Sequence, residues 1–273
     1  MRILIVAVAS VTLSGCSWLG STHNHNKRSS TYSSSSYSSG YSSSSRSANK
    51  PGKFSISGSL GTEIAVGGNV LSAENTPFAS PARVEHRSMK DAYKLGWRGE
   101  LGGAYRIGKN QELTVTGFYQ TAKGKDMVIA TTAIGTVNGN LSSYKAFGGE
   151  LGLRQNAGVT NLPLLRGVTP YIEGRVGVAS VSDVTMQNMS INGLPPVADF
   201  ALYKGKMGIT ASALVGFEKP ISRKMSIGFE TGVRYMGGLS EDNTITTGTF
   251  LEGANQGGSR WSVPLQIRGR YRF

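Results

Sequence analysis

The last fourteen positions of the chain, RWSVPLQIRGRYRF at 260–273, constrain its fold more than any other stretch. Apolar and polar positions alternate along it. Because successive side chains of a β-strand leave opposite faces, the pattern predicts a single strand with one apolar face. A strand in a globular sheet is typically only about five or six residues long. The apolar face carries Trp261, Val263, Leu265, Ile267, Gly269, Tyr271 and Phe273.

The aromatic residues of this strand are spaced to match a membrane. Trp261 and Tyr271 are ten positions apart, which projects to about 25 Å along a barrel axis at roughly 3.3 Å per residue and a tilt near 40°. This is the height of the apolar band of an outer-membrane barrel. The stretch resembles the C-terminal strand of bacterial outer-membrane β-barrels, which ends in Phe after alternating apolar residues. The resemblance implies recognition of this strand by the barrel-assembly machinery.

Seven further segments alternate in the same way and predict seven more strands. In the third segment Phe118 falls out of phase with Leu113, Val115 and Tyr119. The segments cover 54–66, 93–107, 113–119, 147–153, 172–178, 207–217 and 225–235.

The connections between these segments favour a barrel. Three are turns, of which the one through 156–169 is the longest, and four are long loops at 67–92, 121–143, 182–204 and 236–259. Short turns on one side and long loops on the other are typical of outer-membrane barrels. The predicted fold is all-β, an eight-stranded antiparallel transmembrane β-barrel over 52–273 with both termini on the periplasmic side. This region resembles small outer-membrane barrels of the OmpA and OmpX type.

Two interpretations of the long loops remain open. Asn138-Gly139 and Asn192-Gly193 follow alternating runs, and Asn-Gly favours a tight hairpin turn. The strands then continue above the membrane as ribbons, whose edges are able to pair with another chain. The alternative is loops without such ribbons.

A soluble sandwich or lipocalin is the competing fold, with the apolar faces turned inward. The faces opposite the apolar ones are rich in Gly, Ser, Glu and Arg, which suits a narrow polar lumen better than a soluble exterior rich in Lys. Eight strands leave an interior that side chains fill, and charges there require partners. The predicted lumen charge network consists of Glu63, Arg98, Glu100, Glu150, Arg154, Glu173, Arg175, Glu218, Glu230, Arg234, Arg268 and Arg270. The predicted membrane aromatic girdle consists of Tyr93, Trp97, Tyr105, Tyr235, Trp261, Tyr271 and Phe273.

The amino terminus is typical of an exported lipoprotein. Residues 1–15 place Arg2 before an apolar run too short to span a bilayer as a helix, which predicts a signal peptide. Leu13-Ser14-Gly15-Cys16 resembles a bacterial lipobox, which implies that Cys16 is lipidated, and Cys16 is the single cysteine of the chain. Residues 16–51 are dominated by Ser and Tyr, a composition that predicts a disordered linker. Ser17 at the next position favours sorting to the outer membrane of a Gram-negative bacterium.

Residues suited to catalysis are few. His86 is the one histidine of the barrel region, with Glu85, Ser88 and Asp91 nearby, so a Ser-His-acid arrangement is a minor alternative. We predict no catalytic residue, no cofactor and no metal site, because the other two histidines, His23 and His25, lie in the linker. The formal net charge of +13 favours lipopolysaccharide phosphates over nucleic acid, since no basic aromatic groove accompanies it.

These observations predict a non-enzymatic outer-membrane lipoprotein, both lipid-anchored and membrane-spanning. Its role is expected to be envelope-structural or adhesion-like, exerted through the long loops on an envelope or extracellular protein, because functional contacts concentrate on loops held by a rigid scaffold. A narrow pore or an envelope assembly factor is the alternative, and a lipid-modifying enzyme is a weaker one.

Replacing Cys16 by Ser tests the lipobox. The thiol is the acylated group in the motif, so the variant should lose all incorporation of radiolabelled palmitate while the barrel sequence stays unchanged. Labelling that persists in the variant contradicts the assignment. Replacement of Ser17 by Ala is the matched control and should keep the label.

Overall fold

The computed structural model describes residues 52–72, 83–159, 166–192, 194–195, 198–242, 244 and 251–273. The predicted signal peptide (1–15), the predicted lipidation site Cys16 and the linker to residue 51 lie outside the described residues, as do parts of the long loops 67–92, 182–204 and 236–259 and of the turn through 156–169. Within the described ranges, no helix is long and apolar enough to cross a membrane.

The described chain is built almost entirely of β-strands. Its one helix, α1 (Met89–Ala92), is a single turn. The strands are β1 (Phe54–Gly67), β2 (Asn69–Leu71), β3 (Arg83–Val84), β4 (Arg87–Ser88), β5 (Gly96–Arg106), β6 (Gln111–Ala122), β7 (Asp126–Thr132), β8 (Gly135–Leu141), β9 (Tyr144–Asn156), β10 (Thr169–Val181), β11 (Val184–Ile191), β12 (Phe200–Gly205), β13 (Met207–Pro220), β14 (Met225–Met236), β15 (Leu239–Glu241) and β16 (Arg260–Arg272).

Eight long strands close into an antiparallel barrel, in the order β1-β16-β14-β13-β10-β9-β6-β5. The last strand closes it against the first, from Ser55 opposite Arg272 to Ala65 opposite Ser262. The predicted fold class is confirmed. The second strand begins at Gly96 rather than at residue 93, because the preceding residues form α1 and Tyr93 makes only an isolated bridge to Gly124.

The polarity of the barrel is the reverse of that of a soluble barrel. Apolar side chains such as Leu60, Leu101 and Ile267 are exposed on its outer wall, whereas the glutamates and arginines of the alternate positions are buried inside. Lipid is the environment that such an exterior requires, so a soluble sandwich or lipocalin does not fit. Phe118 keeps the same alternation, because it is buried inside while Tyr119 faces outward.

The strands continue beyond one end of the barrel and form a second layer, as the ribbon interpretation predicted. A six-stranded sheet has the order β15-β12-β11-β8-β7-β3, and β2 pairs with β4. Buried apolar residues, among them Leu71, Ile129, Met186, Leu202 and Tyr203, make a core. We call this layer the cap. It is formed by the long connections, so it lies at the end opposite the chain termini.

One of the two predicted turns is wrong. Asn138-Gly139 lies inside β8, and the hairpin from β7 turns at Ala133 and Ile134, with Gly135 at φ 137°. Gly135 therefore supplies the backbone conformation that an L side chain rarely adopts. Asn192 follows β11 with φ 45°, in agreement with a turn there.

Substitution of Ile267 by Arg tests the lipid exposure of the outer wall. Ile267 is 62% exposed at the middle of β16, where an arginine on a lipid face costs about 2–4 kcal/mol. Equilibrium unfolding by guanidinium in lipid vesicles should show this loss. Ile134→Arg is the matched control, since Ile134 is 70% exposed but lies in the cap, and it should change stability by less than about 0.5 kcal/mol. Equal losses from both contradict lipid contact at Ile267.

Candidate functional site: a charged lumen beneath an apolar cap

The barrel interior holds a continuous network of buried ion pairs. It is centred on Arg175, whose guanidinium lies 2.9 Å from Glu100, 2.8 Å from Glu173 and 3.3 Å from Glu230. Arg234 joins Glu100 to Glu63 at 2.7 and 2.8 Å. Several carboxylates are shared between arginines, so no single pair can be removed without leaving a neighbour's charge unbalanced.

Toward the termini, the network passes through Arg154, which contacts Glu173 and Glu218, each at 2.6 Å. Its guanidinium also stacks 3.9 Å from the centroid of the Tyr171 ring, and the Tyr171 hydroxyl donates to Glu230 at 2.9 Å. Neutral donors thus complete the coordination of the carboxylates, as buried charges require.

Inward glycines make the room for these long side chains. A Cβ at Gly152 would lie 2.8 Å from Cγ of Arg175 and 2.5 Å from Oγ1 of Thr114. A Cβ at Gly61 would lie 2.6 Å from Cγ of Gln266. The small inward residues of the sequence therefore accommodate the arginines and glutamines that fill the lumen.

The structure places all of the predicted lumen residues on the inner wall and in ion-pair contact. They are Glu63, Arg98, Glu100, Glu150, Arg154, Glu173, Arg175, Glu218, Glu230, Arg234, Arg268 and Arg270. Sequence reasoning missed Glu112, which pairs with Arg270 at 2.7 Å. The sequence does contain a signal for Glu112: it alternates with the apolar Leu113, which places Glu112 on the polar face of its strand.

The cap covers the lumen with apolar side chains. Phe118 lies between the two layers, with the Arg98 guanidinium 3.6 Å from its ring centroid. Above it, the Tyr144 hydroxyl contacts the sulfur of Met236 at 3.1 Å. Higher still, the Tyr203 hydroxyl donates to the Val70 carbonyl at 2.7 Å, and burial raises the pKa of Tyr203. The lumen is thus filled by charges below and by an apolar core above.

The outward aromatic residues lie at two levels. Tyr235 and Trp261 pack at the cap end with ring centroids 5.1 Å apart, and Tyr271 and Phe273 pack at the terminal end at 5.3 Å. Trp97 and Tyr105 face outward from β5 near its two ends. The prediction that Tyr93 belongs to the membrane aromatic girdle is wrong, because its side chain is 3% exposed inside the cap core and packs edge-on to Tyr144. It precedes β5, so its phase in the sequence says nothing about the barrel wall.

The segment around His86 is arranged as a helix start. The Ser88 hydroxyl donates to Asp91 at 2.6 Å, and this hydrogen bond lowers the pKa of the Asp91 carboxyl. The serine proton is therefore directed at the carboxylate of α1 and not at an imidazole, unlike a Ser-His-acid relay. In the described ranges, no group of three or more His, Cys, Asp or Glu side chains is placed to hold a metal ion.

No protein-family model and no curated protein matches the chain. Solved structures similar to it include the Neisserial surface protein NspA, at 13% identity and TM-score 0.44 over 82% of this chain and 99% of that one. OprG from Pseudomonas aeruginosa gives 16% identity and TM-score 0.45 over 82% and 97%. Ail from Yersinia pestis gives 11% identity and TM-score 0.36 over 81% and 99%.

Replacing Arg175 by Met tests the network. The change removes a cation shared by four contacting glutamates, and breaking a buried pair costs about 3–5 kcal/mol. Chemical unfolding in lipid vesicles should show a loss of this size. Arg272→Met is the same chemical change at the terminal mouth, where the side chain is 32% exposed and contacts only Glu218, at 3.4 Å, among the described carboxylates. It should cost no more than about 1 kcal/mol. Similar losses from the two variants argue against a cooperative network.

Proposed function

We propose that this protein is an outer-membrane lipoprotein that acts as a non-enzymatic surface-interaction module. The observation that carries the proposal is the cap. The long connections fold into a sheet with its own apolar core, which is more structure than barrel closure needs. A rigid scaffold that presents shaped loops is the usual basis of a binding surface.

The distal part of the cap is suited to contact with another protein. Residues 127–141 and 184–198 contain no Asp, Glu, Lys or Arg, and depletion of charge is typical of the centre of an interface. Ile134 and Leu194 are exposed there. The two segments are joined by Asn192, whose amide donates to the Ile134 carbonyl at 2.7 Å and accepts from the Thr136 N–H at 3.2 Å. Because the surface is held in shape before binding, little ordering cost accompanies association.

The filled lumen favours this role over a pore. Charged side chains occupy the interior from Glu63 to Glu218 in mutual contact, and the cap core lies above them. An eight-stranded barrel is just wide enough for side chains to fill. A solute would have to break several shared ion pairs to pass. Nothing in the described chain favours a role in envelope assembly over binding at the surface.

Lipopolysaccharide is the lipid partner that the barrel rim fits. Exposed lysines lie at the cap ends of the neighbouring strands, where the Lys94 N–H donates to the Lys123 carbonyl at 2.8 Å. Asp183 lies in the same region but accepts a hydrogen bond from the Gly205 N–H at 2.8 Å. Cations at this level are positioned for the phosphates of an anionic outer leaflet. The lysines of this arc are Lys94, Lys123, Lys145 and Lys206.

The lipid on Cys16 is proposed to act as a second anchor. The support is the match of Leu13-Ser14-Gly15-Cys16 to a lipobox. The barrel already holds the protein in the membrane, so we assign the lipid to delivery or to fixing the far end of the linker. The terminal strand is the proposed signal for the barrel-assembly machinery.

Removal of the cap tests the proposed function. Residues 126–141 and 184–205, which hold four of the six strands of the larger cap sheet, are each replaced by a short turn. This variant, called the capless barrel, is expressed in a strain that lacks the gene. Because the barrel strands are retained, heat-dependent gel migration should still show a folded barrel, whereas the phenotype of the deletion should not be restored. Shortening the turn at 157–168, at the opposite end of the barrel, is the matched control and should restore it. A capless barrel that restores function, or ion conductance through the intact protein in planar bilayers, contradicts the proposal.

Charge reversal tests the lipid partner. Lys94→Glu, Lys123→Glu and Lys145→Glu together should lower the number of lipopolysaccharide molecules that native mass spectrometry finds retained on the purified protein. Lys109→Glu, Lys219→Glu and Lys224→Glu make the same change in net charge at the terminal end and should leave that number unchanged. An equal loss in the two triple variants would show that net charge, and not the rim, governs retention.

A further inference from the structure

Arg260 has an environment unlike that of the other buried arginines of the lumen. It is the first residue of β16, it is 2% exposed, and its Nε, Nη1 and Nη2 atoms all lack a hydrogen-bond partner among the residues that the structure describes. Among the described side chains, no carboxylate forms an ion pair with it, whereas each of the seven buried glutamates is paired with another arginine. An unpaired charge in such a place is very costly unless a counter-ion accompanies it.

A second donor without a partner lies beside the same aromatic ring. The Arg260 guanidinium carbon is 5.0 Å from the centroid of the Tyr144 ring, and the Tyr93 ring packs edge-on to that ring at 5.9 Å. The Tyr93 hydroxyl is buried and also lacks a hydrogen-bond partner within the described part of the chain. The positive charge of Arg260 is near enough to interact electrostatically with the phenols of Tyr93 and Tyr144. The Tyr144 hydroxyl donates to the sulfur of Met236 and accepts no hydrogen bond from the Arg260 nitrogens.

The surroundings restrict what can occupy this position. Gly96 and Ala122 are small neighbours, and one main-chain carbonyl is close: a Cβ at Gly96 would lie 3.4 Å from Nη2 of Arg260, 3.3 Å from Cβ of Ala122 and 3.2 Å from the Thr121 carbonyl oxygen. The Arg260 guanidinium offers only N–H donors, and the Tyr93 hydroxyl offers one O–H donor on an uncharged oxygen, so neither group supplies a negative charge. A single guanidinium balances one negative charge, and apolar walls oppose a strongly hydrated dianion.

We infer that Arg260 and Tyr93 form a buried site for a small monovalent anion of the size of chloride, at the boundary between the charged lumen and the cap. Arg260 begins the strand that closes the barrel, and Tyr93 directly follows α1, which belongs to the first long connection. An anion held by both connects the cap to the barrel wall. Its role is structural, and it fixes the cap in the orientation in which the proposed function needs it.

Bromide locates the site directly. Crystals of the full-length protein in detergent are grown in sodium bromide, and anomalous scattering is collected at the bromine edge. A peak within hydrogen-bond reach of the Arg260 guanidinium, about 3.3 Å from a nitrogen, is the expected result. The absence of this peak overturns the inference. A peak in the crystals also overturns it if the stability of the protein in solution does not depend on chloride.

Solution stability supplies the second measurement. Thermal unfolding in sodium chloride is compared with unfolding in sodium gluconate at equal ionic strength, and the midpoint should fall by about 5 °C in gluconate. Tyr93→Phe removes one donor and keeps the packing, so the chloride-dependent shift should shrink by at least half. Arg260→Met should abolish it. Tyr119→Phe, on the exposed outer wall, is the matched control and should keep the full shift.

These results separate the anion site from the proposed function. A chloride-dependent shift that is identical in the Tyr93→Phe variant and in the control overturns the site, whatever the cap contacts. Two results together agree with both the anion site and the proposed function. They are a loss of surface interaction in the capless barrel and a normal chloride response of the intact protein. Because Tyr93→Phe keeps the ring and its packing against Tyr144, the test stands even where Arg260→Met fails to fold.

Discussion

The structure depends on the burial of charge inside a narrow barrel. Lipid on the outside forces the apolar side chains outward, and the alternation of a strand then sends every second residue inward. Eight strands enclose too little space for water to solvate those residues, so they must satisfy one another. Arg175 and Arg234 do so by sharing Glu100, each with a second carboxylate in contact.

Two different environments follow along the barrel axis. The lower lumen is polar because its residues pair across the barrel, as Glu63 does with Arg234 at 2.8 Å. Beyond the membrane the walls continue as the cap sheet, where residues such as Leu202 and Met186 are buried in an ordinary apolar core. The molecule is therefore inverted within the bilayer and conventional outside it. Phe118 joins the two, since it packs on Arg98 from the polar side and belongs to the cap core.

This arrangement links stability to the proposed role. In the proposed role the filled lumen is not a path for solutes, and the cap that covers it provides a shaped surface above the membrane. The charge-poor segments at 127–141 and 184–198 face outward only because their other side packs in the core, for example through Ile129 and Met186. Arg260 lies where the two environments meet, and there a polar ligand is needed because neither the ion-pair network nor the apolar core supplies a partner.

The sequence by itself determined the barrel. The eight alternating segments and the aromatic positions at two levels specify strand number, inner and outer faces and the membrane as solvent, because these follow from the local geometry of a strand and from the thickness of a bilayer. The same alternation marked the lumen residues as inward, since a side chain's face is a local property. Which glutamate meets which arginine depends on register and on the curvature of the closed sheet, and only the tertiary structure decided it.

The sequence left open whether the long loops form ribbons, and it did not show how they pair and pack in the cap. Asn138-Gly139 has the composition of a hairpin turn but lies inside β8, since pairing with β7 and β11 overrides a local turn preference. Tyr93 is in phase with an outer wall that its backbone never joins. Arg260 looks like any other inward arginine in the sequence. Its isolation arises because partners in a barrel come from strands distant in the chain, and at its level those strands offer Tyr144, Ala122 and Met236 instead of a carboxylate.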